Sequence, residues 1–195
     1  VRLVGSEMCI RDRIEYYKGI FTILSSCAAR QLEEVTFRRT TIPVQELFDA
    51  AGKYFRKVMK NRMEKIELIM EPMEAKVIGD VNQLRFLFEN LIDEALAVHE
   101  EGVIRLQARK DNEYVRFLFT DTRREKSVTE LNQLFYPNLA RMTSGEKGEL
   151  RGTEYLICKQ IIRDHDEFAG RRGCRINAEP AEGGGFTVYF TIPRR

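Results

Sequence analysis

Gly79-Asp80-Val81-Asn82-Gln83-Leu84-Arg85, running into Phe88-Glu89-Asn90-Leu91-Ile92-Asp93-Glu94-Ala95-Leu96, joins a helix start, a buried stripe and a polar edge in one short stretch. Asp80 followed three residues later by Gln83 has the spacing of a capping box, so the helix is expected to begin there. Leu84, Phe88, Leu91, Ala95 and Val98 then recur at helical spacing and define a core-facing side. Asn90 and Glu94 fall one turn apart beside it. An amide oxygen and a carboxylate so placed are hard donors that suit Mg²⁺ while it also holds phosphate oxygens. The helix is thus a candidate wall of a nucleotide pocket, although a solvated polar edge has the same pattern.

Outward from this helix the chain alternates between helical and strand patterns. Upstream, Leu47, Ala51, Tyr54, Phe55, Val58 and Met59 mark a helix expected over 44–63, and short strands are expected at 65–70 and 75–78 around Glu71-Pro72. Downstream, Ile104, Leu106 and Ala108, then Val115, Phe117 and Phe119, alternate with polar residues on either side of Asp111-Asn112, the pattern of an antiparallel hairpin. A last strand pair is expected at 174–178 and 186–192, joined through Pro180 and the glycines at 183 to 185. Helices interleaved with strands of one buried face predict an α/β fold: a two-layer sandwich with a mixed, largely antiparallel sheet and helices on one face.

Asp-x-x-x-Leu-Arg-x-x-x-x-Asn-Leu-x-x-x-Ala-Leu, beginning at Asp80, resembles the N box of sensor histidine kinases, members of the wider GHKL ATPase family that includes Hsp90, gyrase B and MutL. Leu134-Phe135-Tyr136-Pro137 resembles the family's F box, residues 152–162 its second glycine box, and residues 183–193 its closing Gly-x-Gly-x-x-Phe-x-Phe-x-x-Pro strand. Each motif alone is weak, but their order and spacing agree. The resemblance implies ATP and Mg²⁺ as cofactors, with Asn90 and Glu94 toward the metal, Asp121 at the base, Gly152 at the phosphates and Lys147 in a lid over them. Lys147 and Arg141 in the polar stretch 138–150 also suit an ordinary solvated loop.

The departures from the family pattern fall where nucleotide would touch. A second metal-binding Asn is replaced by Glu94, which adds negative charge beside a triphosphate. The first glycine box, Asp-x-Gly-x-Gly in the family, is Asp121-Thr122-Arg123-Arg124-Glu125, with bulk and charge in place of backbone freedom. The second glycine of the later box is Glu154, at a helix start that otherwise attracts phosphate; it also suits a first-turn acid that stabilises its helix. The downstream helix is expected to pack through Leu156, Ile157, Gln160 and Ile161. Together these changes imply a remodelled, weakened nucleotide site.

Residues 1–13 lack periodicity and resemble a translated sequencing-adapter remnant, so they are set apart from the fold. Ile14, Tyr17, Phe21, Leu24, Ala28, Gln31 and Val35 alternate three and four apart, the seam of a helix that pairs with another helix. By resemblance this is the second helix of the dimerisation and phosphotransfer hairpin, giving a remnant and linker over 14–40, with a linker around 36–43, and an ATPase-like domain over 41–195. The helix bearing the phosphoacceptor histidine is not in this sequence, so no catalytic residue is assigned.

In 195 residues, 32 basic and 30 acidic side chains leave a formal charge of +2, and the arginine pairs are scattered, so no nucleic-acid surface is expected. With 43% hydrophobic residues the chain can bury a sizeable core, and no apolar run reaches membrane-spanning length. The fragment is expected to be soluble and cytoplasmic without membrane contact, in a parent that is itself open to anchoring. The four cysteines show neither zinc nor disulfide spacing. His99 reads as an exposed helix-end residue and His165 as a structural one. The expectation is a degenerate sensor-kinase module, an impaired relative of the ATP:protein phosphotransferases, that signals by docking, as a homodimer through residues 14–38, with a response regulator or partner kinase. The alternatives are an active ATP-dependent histidine kinase domain and an anti-sigma-type serine kinase.

Overall fold

A computed structural model of the chain describes residues 37–136 and 153–195. The adapter-like segment, nearly all of the expected pairing helix and the lid stretch lie outside these residues. Phe37 and Arg38, the last positions of that expected pairing, are not helical.

The chain enters through β1 (Thr40–Pro43), inside the stretch expected to be linker, and α1 (Val44–Met59). Pro43 stands immediately before the helix, where its fixed φ and missing N–H suit a start. Leu47, Phe48, Ala51 and Phe55 form the buried side. Four residues short of expectation, the helix ends where that stripe gives out, and Met63 is left almost fully exposed. β2 (Ile66–Glu71) and β3 (Lys76–Gly79) follow as expected, but they join different sheets: β3 pairs with β1, and β2 pairs with β4.

α2 (Val81–Leu96) is the helix of the opening stretch, and it carries the chain across to β4 (Gly102–Asp111), parallel to β2. The expected hairpin forms between β4 and β5 (Tyr114–Asp121), and Asn112 turns it at φ 52, the left-handed region that Asn tolerates. After α3 (Val128–Gln133), closed by a capping box from Ser127 and Glu130, and α4 (Thr153–Phe168), the chain ends in β6 (Ile176–Pro180) and β7 (Phe186–Pro193). The larger sheet has the order β2-β4-β5-β7-β6, antiparallel except for its first pair. Pro180, unable to donate to a ladder, lies in edge strand β6, where proline is tolerated.

The sheet turns Ile104, Leu106, Val115, Phe117, Val188, Phe190 and Ile192 toward the helices. Phe117 stacks on Phe190 at 5.0 Å between ring centroids, and Phe88 of α2 lies edge-on to Phe117 at 5.8 Å. This aromatic seam pins α2 to the sheet, and truncating one such ring typically costs about 3–5 kcal/mol. The buried side of α4 is Tyr155, Cys158, Ile161 and Ile162, with Ile157 packed against it; of the expected packing residues Ile157 and Ile161 meet the core, whereas Leu156 and Gln160 lie to one side of it. Residues 166–173 form the last turn of α4 plus a bend, which Asp166 closes by accepting from the backbone N–H groups of Gly173 and Cys174.

Candidate functional site

The start of α2 is fixed from two sides. Asp80 caps it, accepting from Asn82 N at 2.9 Å and Gln83 N at 3.1 Å, and also from Arg38 N at 2.8 Å. The expected box is only half formed. Gln83 Oε1 meets no donor among the described residues, because the N–H it was to accept, that of Asp80, donates instead to His165 Nε2 at 3.1 Å. A backbone N–H can only donate and a carbonyl only accept, so Nε2 is bare and Nδ1–H points to Ile161 O at 2.8 Å. His165 is fully buried, and burial lowers its pKa; it is a neutral pin between α4 and the α2 start. Gly79 makes the approach possible, since a Cβ there would stand 2.8 Å from the imidazole.

Asp121, at the end of β5, is the residue expected to read the base. It is 1% exposed, and its carboxylate receives four N–H donors. Oδ1 accepts from Arg123 N at 3.1 Å and Nε at 2.8 Å. Oδ2 accepts from Arg123 Nη2 at 2.9 Å and Arg124 Nε at 3.1 Å. A carboxylate offers about four lone-pair directions, and all are taken from within. The far edge of the Arg123 guanidinium donates to Ala95 O at 2.7 Å, capping a free carbonyl at the end of α2, and to Glu100 O at 2.9 Å in the segment that leads into β4. Arg124 lies over the Phe186 ring at 5.8 Å, with Nη2 3.5 Å from Glu94 O.

The other two departures meet each other. Glu94, in the last turn of α2, and Glu154, in the first turn of α4, share a side-chain hydrogen bond, which requires one proton between two carboxyl groups. Burial, with the charge of Glu154 next, pushes Glu94 up to about 7. Burial also raises nearby Asp93, Glu154 adding to it, and Tyr54 donates to Asp93 at 2.9 Å. Buried Tyr155, next along α4, is raised first by burial and then by Glu94, and Phe135 of the F-box stretch lies edge-on to it at 5.8 Å.

Asn90 is buried one turn before Glu94, and its Nδ2 donates to Phe86 O at 2.7 Å within its own helix. Glu94 and Asp121 are thus brought together through Arg124, whereas Gly152 and Lys147 lie outside the described residues. His99 is exposed and pairs with Glu64. Arg123 is the residue whose role sequence reasoning missed; the signal was the double arginine two residues after Asp121. These residues do not fit ATP with Mg²⁺. Among the described residues, the Asp121 carboxylate expected to face the base has its acceptor directions filled, and the Glu94–Glu154 acid pair stands at the expected phosphate end. Among the described residues no group of three or more His, Cys, Asp or Glu side chains is arranged to hold a metal, and no helix is long and apolar enough to cross a membrane.

Residues 79–195 match the family model described as histidine kinase-, DNA gyrase B-, and HSP90-like ATPase. No curated protein matches the sequence. Among solved structures, a mycobacterial sensor histidine kinase, MprB, is similar at 18% identity and TM-score 0.58, over 81% of this chain and 99% of that one. The catalytic domain of histidine kinase ThkA in a nucleotide-free form is similar at 20% identity and TM-score 0.63, over 80% and 96%. ThkA in complex with the response regulator protein TrrA gives 19% identity and TM-score 0.66, over 90% of this chain and 47% of that one. At these identities the likeness is one of fold.

Proposed function

The chain belongs to the histidine kinase-, DNA gyrase B-, and HSP90-like ATPase family, and from that premise we propose that it is a sensor-kinase module whose nucleotide site has been given up and which transmits signals in the cytoplasm by docking. The observation that carries this reading is the Asp121 carboxylate, closed by four internal donors. A base reaching it has to displace a buried, charge-assisted, bidentate pair, roughly twice as strong per bond as the neutral hydrogen bond it offers in return. The Glu94–Glu154 pair opposes the phosphate end by like charge. Its partners are a second copy, through the helix expected at 14–38, and a response regulator or a partner kinase, by analogy with the ThkA–TrrA assembly.

Thermal unfolding with ATP and Mg²⁺ tests this. A ligand at 100 times its Kd contributes about 2.7 kcal/mol of apparent stability, so a competent site raises the melting temperature clearly. The expected result is no change at millimolar nucleotide. A rise that disappears in Asp121→Ala overturns the reading in favour of an active ATP-dependent kinase domain.

A further inference from the structure

Arg123 is held more tightly than a chance side chain in a vacated site. Its guanidinium is 1% exposed and uses Nε, Nη1 and Nη2 together, toward a carboxylate on one edge and two carbonyls on the other. The backbone has been shaped around it. Gly102, at φ +137, lies so close to the arginine stem that a Cβ there would stand 2.8 Å from Arg123 Cγ. Gly185 likewise allows the backbone of Asp121 to come close, since its Cβ would meet the Asp121 carbonyl O at 2.1 Å.

We infer that Arg123 is an internal ligand of the Asp121 site, its guanidinium taking the hydrogen bonds that the amino edge of a purine would make and closing the site to nucleotide. The inference rests on the proposed identity of Asp121 as the base-facing carboxylate. An adenine amino group presents one neutral N–H to such an acid; Arg123 presents two parallel N–H groups and a positive charge. Tethered two residues away, it also acts at the high effective concentration of an intramolecular partner. Arg124, at 3.1 Å and mostly covered, backs it. Erosion of the first glycine box therefore supplies the occupant of the pocket, and the same side chain caps the α2 end through Ala95 O.

The test uses the full chain and adenosine, which lacks phosphate and so avoids the Glu94–Glu154 pair. Calorimetric titration should detect no adenosine binding to wild type at millimolar concentration, and an affinity gain of about tenfold or more in Arg123→Ala. Millimolar methylguanidinium, a small copy of the missing group, should raise the melting temperature of Arg123→Ala, leave wild type unchanged, and fail in the double variant Arg123→Ala with Asp121→Asn. If Arg123→Ala does not fold, Arg123→Gln, which keeps a shorter donor, takes its place with the same outcomes expected. Silence of the single variant toward both probes, with wild type also silent, overturns the internal ligand and leaves the proposed function standing. Adenosine binding to wild type overturns both.

Discussion

Replacing Glu94 with Gln should stabilise the domain above neutral pH and remove a defined part of its pH dependence. In the folded chain Glu94 titrates near 7, against an ordinary value of 4.5, because it is buried and shares a proton with Glu154. Between those two values the folded state holds a proton that the unfolded chain has released, so stability falls as pH rises through that window and the full cost is present above 7. At about 1.4 kcal/mol per pH unit the ceiling is about 3 kcal/mol, and it belongs to the pair rather than to one residue. Gln keeps the shape, cannot ionise, and can donate its amide to Glu154. The gain of Glu94→Gln over wild type should grow from near zero at acid pH to about 2–3 kcal/mol at pH 8, roughly 6–9 °C in melting temperature for a domain of this size. Urea denaturation of both proteins from pH 5 to 8.5, followed by circular dichroism, reads this difference. His165, lowered by burial, withdraws stability in both proteins as pH falls below the unfolded histidine value, so its effect cancels in the comparison. Two stability curves separated by a constant offset would refute the shared proton, and so would a variant less stable than wild type at pH 8.

Gly185→Ala should cost about 3 kcal/mol or more, since a side chain at φ +84 adds backbone strain to a clash with Asp121 O; a midpoint in urea equal to wild type would contradict the tight approach. His165→Leu should lose about 1–3 kcal/mol by leaving the buried Asp80 N–H without its acceptor. In wild type, nitrogen-detected NMR should show His165 protonated on Nδ1 alone across neutral pH, and an Nε2–H form would contradict the pin. Arg123→Ala should be destabilised by about 3–5 kcal/mol, the cost of breaking a buried charge pair from one side, and Asp121→Asn added to it should return part of that loss.

Much of the fold was legible because local and long-range signals agreed. Alternation on either side of Asp111-Asn112 can be satisfied only by a hairpin with one buried face, and Asp80 before a clean helical stripe admits few starts other than the one observed. β1 was hidden because it is four residues long and gains its identity from β3, whose residues pair with it from 33 to 39 positions away. The half-formed capping box was hidden for the same reason: Gln83 has the right spacing, but His165, far along the chain, reaches the same N–H first. At the site, the sequence marked Asp121 as a match and Glu94 and Glu154 as departures, and could not show that the two departures meet. Arg123 was seen as bulk replacing a glycine. Its direction depends on where the carbonyls of Ala95 and Glu100 stand and where Gly102 leaves room, and neither is written in the local sequence.

The central claim, that Asp121 is served by Arg123 instead of by a base, is tested most directly by crystals of the full chain grown with millimolar non-hydrolysable ATP analogue and Mg²⁺. The account predicts the Arg123 guanidinium on both carboxylate oxygens, with no adenine beside them. An adenine ring hydrogen-bonded to Asp121, with Arg123 swung out to solvent, would contradict it.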